Sequence, residues 1–105
     1  MGTKKKISEE SDTLVADKID ITEPKLFKVI LLNDDYTSMD FVVLILETIF
    51  NKSPSEAVQI MMAVHKQGKG ICGIYPRQIA EAKVQAVHIK AESRNYPLRC
   101  LMEEA

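Results

Sequence analysis

The chain reads as an α+β domain in the order β-α-α-β-α-β, a three-stranded antiparallel sheet with three helices packed mainly on one face. Three observations carry that reading. An apolar run over residues 25–32 alternates imperfectly and then breaks into Asn33-Asp34-Asp35. Two helix starts are marked by capping residues, Thr37-Ser38-Met39-Asp40 and Ser53-Pro54-Ser55-Glu56, with little chain to spare between the helices they open. Two further short apolar segments, 70–75 and 98–102, flank a third helical pattern. Three short strands and three helices are too few to cover both faces of a sheet twice over.

Residues 1–22 are rich in Lys, Glu, Asp, Ser and Thr, with isolated Leu14, Val15, Ile19 and Ile21. They offer no continuous apolar face, so residues 1–24 read as a flexible N-terminal arm and residues 25–105 as the domain, with Pro24 at the boundary. In the first strand Phe27, Val29 and Leu31 share one face and Lys28, Ile30 and Leu32 the other. Apolar residues on both sides predict a central strand. Asn33 and Asp34 end it, because both bond readily to nearby backbone in turns.

The first helix is predicted over residues 38–50, with the Thr37 hydroxyl as its cap. Val42, Ile45, Leu46, Ile49 and Phe50 form its buried stripe, widened by Phe41 and Leu44. At the second helix Ser53 caps, Pro54 is pre-set for the first turn, Glu56 closes the box and Gly68 terminates. Ala57, Ile60, Met61 and Val64 lie on one stripe, and the short Asn51-Lys52 link makes the two helices neighbours. Gly70 and Gly73 in the second strand predict a bulge or a close backbone approach. They lack the Lys-Ser/Thr of a phosphate loop and the setting of a dinucleotide fingerprint. Pro76 opens the third helix, whose inner side carries Ile79, Ala80, Lys83, Val84, Val87, His88 and Ala91. Asn95-Tyr96-Pro97 is a turn into the last strand.

A net charge near −1 supplies no basic field for nucleic acid, and a chain without Trp makes a poor base-stacking platform. Lys4-Lys5-Lys6 is not followed by the apolar core of a signal peptide, so a cytoplasmic location is expected. The longest apolar run, residues 41–46, is far too short to span a bilayer. In a reducing compartment Cys72 and Cys100 are expected to be free core thiols.

Three groups of residues are candidates for chemistry. Asn33, Asp34 and Asp35 place several oxygens in one turn. Such a turn commonly does no more than end a strand, and the positive end of the following helix is an uncomfortable neighbour for a cation. His65 sits near the end of the second helix, where a lone His is usually a surface or packing residue. If the fold returns that helix end to the turn, the Asn33 carbonyl, the Asp34 carboxylate and a neutral His65 nitrogen can accept the three N–H donors of a primary ammonium. Binding should then weaken as His65 protonates. Met39, Met61 and Met62, with Val42, Val64 and Leu98, are core filling on the ordinary reading, but soft side chains beside a polar loop also suit a pocket for large apolar groups. Carboxylates with one His also describe a metal site, yet no HExxH, second nearby His or CxxC accompanies them. No metal, other cofactor or enzymatic activity is expected.

Residues Lys28-Val29-Ile30-Leu31-Leu32-Asn33-Asp34-Asp35-Tyr36-Thr37, then Met39, Phe41-Val42, Ala63-Val64-His65, Gln67-Gly68-Lys69 and Cys72-Gly73, closely resemble the ClpS family over almost the whole domain. The resemblance implies a non-enzymatic adaptor for the AAA+ unfoldase ClpA or a relative, working with the ClpP protease. Its substrates would be N-degron proteins beginning with Leu, Phe, Tyr or Trp. By the family pattern Asn33, Asp34 and His65 hold the free α-amino group. Met39, Val42, Met61, Val64 and Leu98 line the side-chain pocket, with Met39 as a gate against β-branched residues. Asp35 and Thr37 shape the peptide entrance. Gln78, Glu81 and Lys83 fall where the family docks the N-terminal domain of its unfoldase. Gln78 stands where an acidic residue is often found, and Ser38 where Pro is often seen; the latter exchange is expected to change little. A monomer is the simplest expectation. The rival readings are a generic helix- or peptide-binding module and a small metal-dependent hydrolase.

Overall fold

The structure, a computed structural model, describes residues 24–105, so all of the expected arm but Pro24 lies outside the described residues. The elements are β1 (Leu26–Leu32), α1 (Met39–Thr48), α2 (Pro54–Gln67), β2 (Lys69–Pro76), α3 (Arg77–Ser93) and β3 (Arg99–Glu104). Both order and class are those predicted. The strands lie in the order β2-β1-β3, antiparallel throughout, which makes β1 central as its two apolar faces required.

Phe27, Val29 and Leu31 join Phe41, Ile45, Leu46, Ala57, Val64 and Val87 in one buried cluster between sheet and helices. Ile30 is buried too, but on the opposite face, paired with Ile71 of β2 and Leu101 of β3. On that second face Ile71 and Ile74 stay half exposed. Helices thus cover mainly one side.

Several element ends differ from expectation. The N-cap of α1 is Ser38, whose Oγ accepts from the Phe41 N–H at 3.1 Å; the Thr37 hydroxyl is engaged elsewhere. The helix stops at Thr48 rather than Phe50, and Asn51 takes a left-handed φ of 54° while the Lys52 N–H returns to the Leu46 carbonyl at 3.0 Å. Lys83 of α3 reaches across and donates to the Ile49 carbonyl at 2.6 Å. A cation at a helix C-terminus meets both the orphan carbonyl and the negative end of the dipole. Ile79, expected on the inner stripe of α3, is half exposed; Ala80, Val87 and Ala91 carry the burial.

At α2 the capping box is complete: the Glu56 N–H donates to Ser53 Oγ, and Glu56 Oε1 accepts from the Ser53 N–H. Gly68 closes the helix with φ 92°, a left-handed conformation that strains any residue with a Cβ. Gly70 answers to the predicted close approach, since a Cβ there would stand 2.8 Å from Val64 Cγ2 and 3.2 Å from the Ile60 carbonyl oxygen. The bulge is present as well, as a register shift opposite Val29 and Ile30. His88 is a packing histidine, its Nε2 accepting the Cys100 N–H of β3 at 3.0 Å.

Candidate functional site

The polar turn after β1 is built around one carboxylate. Asp34 Oδ1 accepts from the Tyr36 N–H at 2.8 Å and the Thr37 N–H at 2.7 Å, while Oδ2 accepts from the Thr37 hydroxyl at 2.7 Å. Partial burial would raise the Asp34 pKa, but these bonds outweigh it and hold the carboxyl below its usual range. A depressed folded-state pKa means that the ionised carboxylate stabilises this loop fully above about pH 4, and that the contribution fades as pH falls through the folded-state value. A carboxylate offers about four acceptor sites. Three are used here, which leaves Oδ2 able to accept one more donor.

β2 returns the end of α2 to this turn. Gly68 reverses the chain, Lys69 pairs with Leu32, and the Asn33 N–H donates to the Gly68 carbonyl at 2.9 Å. The β1–β2 pairing thus meets the condition set by the sequence, that the end of the second helix return to the turn. His65, three residues before Gly68, is thereby set at the mouth of a cleft of about 410 Å³ whose rim is Asn33, Asp34, Asp35, Tyr36, Thr37 and Ser38. Met39, Val42, Met61 and Val64 complete the lining. The volume falls within the range of roughly 300–1,000 Å³ typical of small-ligand pockets. Val42, Met61 and Val64 are buried, whereas Met39, in the first turn of α1, and His65 are exposed.

Nine of the ten residues put forward for the amino group, the side-chain pocket and the peptide entrance therefore gather around one cavity, all but Leu98. Leu98 is buried in the core cluster that also holds Val42, Met61 and Val64, and is not itself among the residues that line the cleft. Gln78 and Glu81 stand exposed on α3. Lys83 is half-buried, its ammonium on the Ile49 carbonyl and within 6 Å of the Phe50 and Tyr75 rings, so it braces α3 against α1. Two lining residues were not foreseen as part of the site, Tyr36 and Ser38. The helix-start pattern contained the signal for Ser38, since the N-cap of a helix that opens on a pocket lies at its rim.

Among the described residues no group of three or more His, Cys, Asp and Glu is placed to hold a metal ion. No helix of the described residues is long and apolar enough to cross a membrane. Cys72 and Cys100 are free and buried, and burial pushes the Cys100 thiol up to about 12 and Cys72 higher still. Neither is an activated nucleophile.

Comparison with known proteins adds a family. Residues 22–101 match the family model described as ATP-dependent Clp protease adaptor protein ClpS. Similar relatives are the ATP-dependent Clp protease adapter protein ClpS of Wolinella succinogenes, 53% identical over 93 residues that span 89% of this chain and 91% of that one. That of Cupriavidus taiwanensis is 55% identical over 82 residues, 78% of this chain and 76% of its own. Among solved structures, that of Agrobacterium tumefaciens ClpS2 bound to L-phenylalaninamide superposes with a TM-score of 0.77 at 35% identity, covering 79% of this chain and all of that one.

Proposed function

The chain belongs to the family of ATP-dependent Clp protease adaptor proteins ClpS, and from that membership we propose how it grips its substrate. As a ClpS adaptor it is not an enzyme: it binds N-degron substrates and delivers them to an AAA+ unfoldase. In our reading the substrate's free α-ammonium is held at the rim by the Asn33 carbonyl oxygen, the remaining acceptor site of Asp34 and one His65 nitrogen. The first side chain enters between Met39, Val42, Met61 and Val64, with Leu98 supporting the pocket from the core behind it. Asp35 and Thr37 border the path of the peptide backbone. The preferred first residues are Leu, Phe, Tyr and Trp, whose bulk buries apolar area worth about 1.5–3 kcal/mol. L-Phenylalaninamide, the ligand of the Agrobacterium relative, has the two parts this grip requires, a free α-amino group and a large apolar side chain.

One observation carries this reading: the Asn33–Gly68 backbone bond, which closes the Asp34 loop against the His65 end of α2 at the mouth of an apolar cleft. We further propose that exposed Gln78 and Glu81, at the start of α3, face the N-terminal domain of a ClpA-like unfoldase, with Lys83 holding that helix in place. The protein would work as a cytoplasmic monomer. Fluorescence anisotropy with two peptides differing only in N-acetylation of an initial Leu tests the grip. Acetylation removes the ammonium, so affinity is expected to fall about twenty-fivefold or more, in line with the loss of about 2–5 kcal/mol for an unpaired buried charge. Equal binding of both peptides would refute the assignment and favour a generic peptide-binding groove.

A further inference from the structure

Ser38 and Tyr96 lie 58 positions apart in the chain and meet at the rim of the cleft. The Tyr96 hydroxyl donates to Ser38 Oγ at 3.2 Å, while the same oxygen accepts the Phe41 N–H at the start of α1. Tyr96 is itself fixed by two other means. Its ring packs on buried Phe41, with centroids 4.8 Å apart and planes tilted by 43°. Its backbone N–H donates to the Ala91 carbonyl at 2.9 Å, where Asn95 turns the chain out of α3 with φ 61°. The end of α3 therefore reaches over and holds the cap of α1. The residue that follows this cap is Met39, which lines the cleft and is 47% exposed at its mouth.

We infer that Tyr96 is a positioning residue for substrate selection: through Ser38 it fixes the first turn of α1, and so the height at which Met39 stands across the cleft mouth. The inference rests on the reading that the substrate's first side chain enters this cleft. On that reading a first residue held by its ammonium at the rim places its Cβ beside exposed Met39 and its Cγ deeper, towards buried Val42, one turn further along the helix. A γ-branched residue such as Leu widens below Met39. A β-branched one such as Ile widens beside it, and fits only if the rim retreats. Met is a yielding side chain, so rejection of β-branched residues depends on whether the backbone beneath it can move. The Tyr96–Ser38 bond opposes that movement. A proline at position 38 could neither cap α1 with a side-chain oxygen nor receive the tyrosine hydroxyl. Serine here is thus one half of a latch that a proline at this position would lack.

Tyr96→Phe tests the inference, because it keeps the ring on Phe41 and removes only the hydroxyl. Affinities of the full chain for peptides beginning with Leu and with Ile, identical otherwise, are measured by anisotropy for parent, Tyr96→Phe, Ser38→Ala and the double variant. The Leu-over-Ile ratio is expected to narrow about threefold to tenfold in Tyr96→Phe, on the scale of one neutral hydrogen bond. The double variant should narrow it no further than Ser38→Ala alone, since both remove the same bond. A Leu-over-Ile ratio within twofold of the parent in Tyr96→Phe overturns the inference, whether or not Leu affinity or melting temperature changes. Failure of the underlying reading shows separately, in the parent protein, as equal binding of free and acetylated Leu peptides.

Discussion

On the proposed grip Asp34 carries two tasks with one carboxylate. Three of its acceptor sites hold the loop, and the fourth would take the substrate ammonium. Its replacement therefore removes a charge partner and lets the rim unwind at once. Val42 loses only methyl groups on truncation, at about 0.8 kcal/mol per carbon. Asp34→Ala is expected to weaken binding of a Leu-initiated peptide by about 2 kcal/mol or more, the lower end of the range for buried pairs because Asp34 is partly exposed. Val42→Ala should cost about 1–2 kcal/mol. Isothermal titration of both variants checks the order, and a smaller loss for Asp34→Ala would move the ammonium grip elsewhere. Thr37 illustrates how a residue type can be right and its task misread. It is a good N-cap by chemistry, yet Asp34 lies three residues upstream and takes its hydroxyl, so the cap passes to Ser38.

At the scale of elements, the site depends on how closely α2 and β2 fold back on each other. Gly68 supplies the reversal and Gly70 the room, with Val64 Cγ2 in the space a Cβ would need. Because Val64 also lines the cleft, crowding at Gly70 reaches the pocket directly. Gly70→Ala is expected to lower stability by about 1–3 kcal/mol, the usual cost of overpacking, and to weaken peptide binding as Val64 shifts. Urea unfolding and anisotropy on the same sample check both effects; unchanged midpoint and affinity would show that the helix yields freely. The α1–α3 contact is braced differently, by the Lys83 ammonium on the C-terminal carbonyl of α1 and by Tyr96 on its N-terminal cap. Both ends of the short, β-branched α1 are thus held by side chains from or just beyond α3, in keeping with a helix of modest propensity that relies on tertiary support.

For the whole molecule, one buried cluster joins sheet and helices, and both thiols belong to it. Burial that raises their pKa values also shields them, so Cys72 and Cys100 should react with an aromatic disulfide at pH 8 only as fast as the domain opens. Labelling followed in increasing urea should track global unfolding, and rapid labelling in native buffer would point to local opening at β2 or β3. What the sequence determined alone is what short-range chemistry decides: the order of elements, the central strand, the capping box at Ser53, the stop at Gly68 and the apolar lining of α1 and α2. These follow from periodicities and caps that act over a few residues. The convergence of residues 33–42 with residues 61–65 around one cleft became readable only through resemblance to a family. Pairing of Leu32 with Lys69 brings those segments together in space, and no local pattern records a strand's partner. The same limit hid the engagement of Lys83 with Ile49 and the meeting of Tyr96 with Ser38. Each joins residues far apart in the chain, decided by packing after the elements have formed.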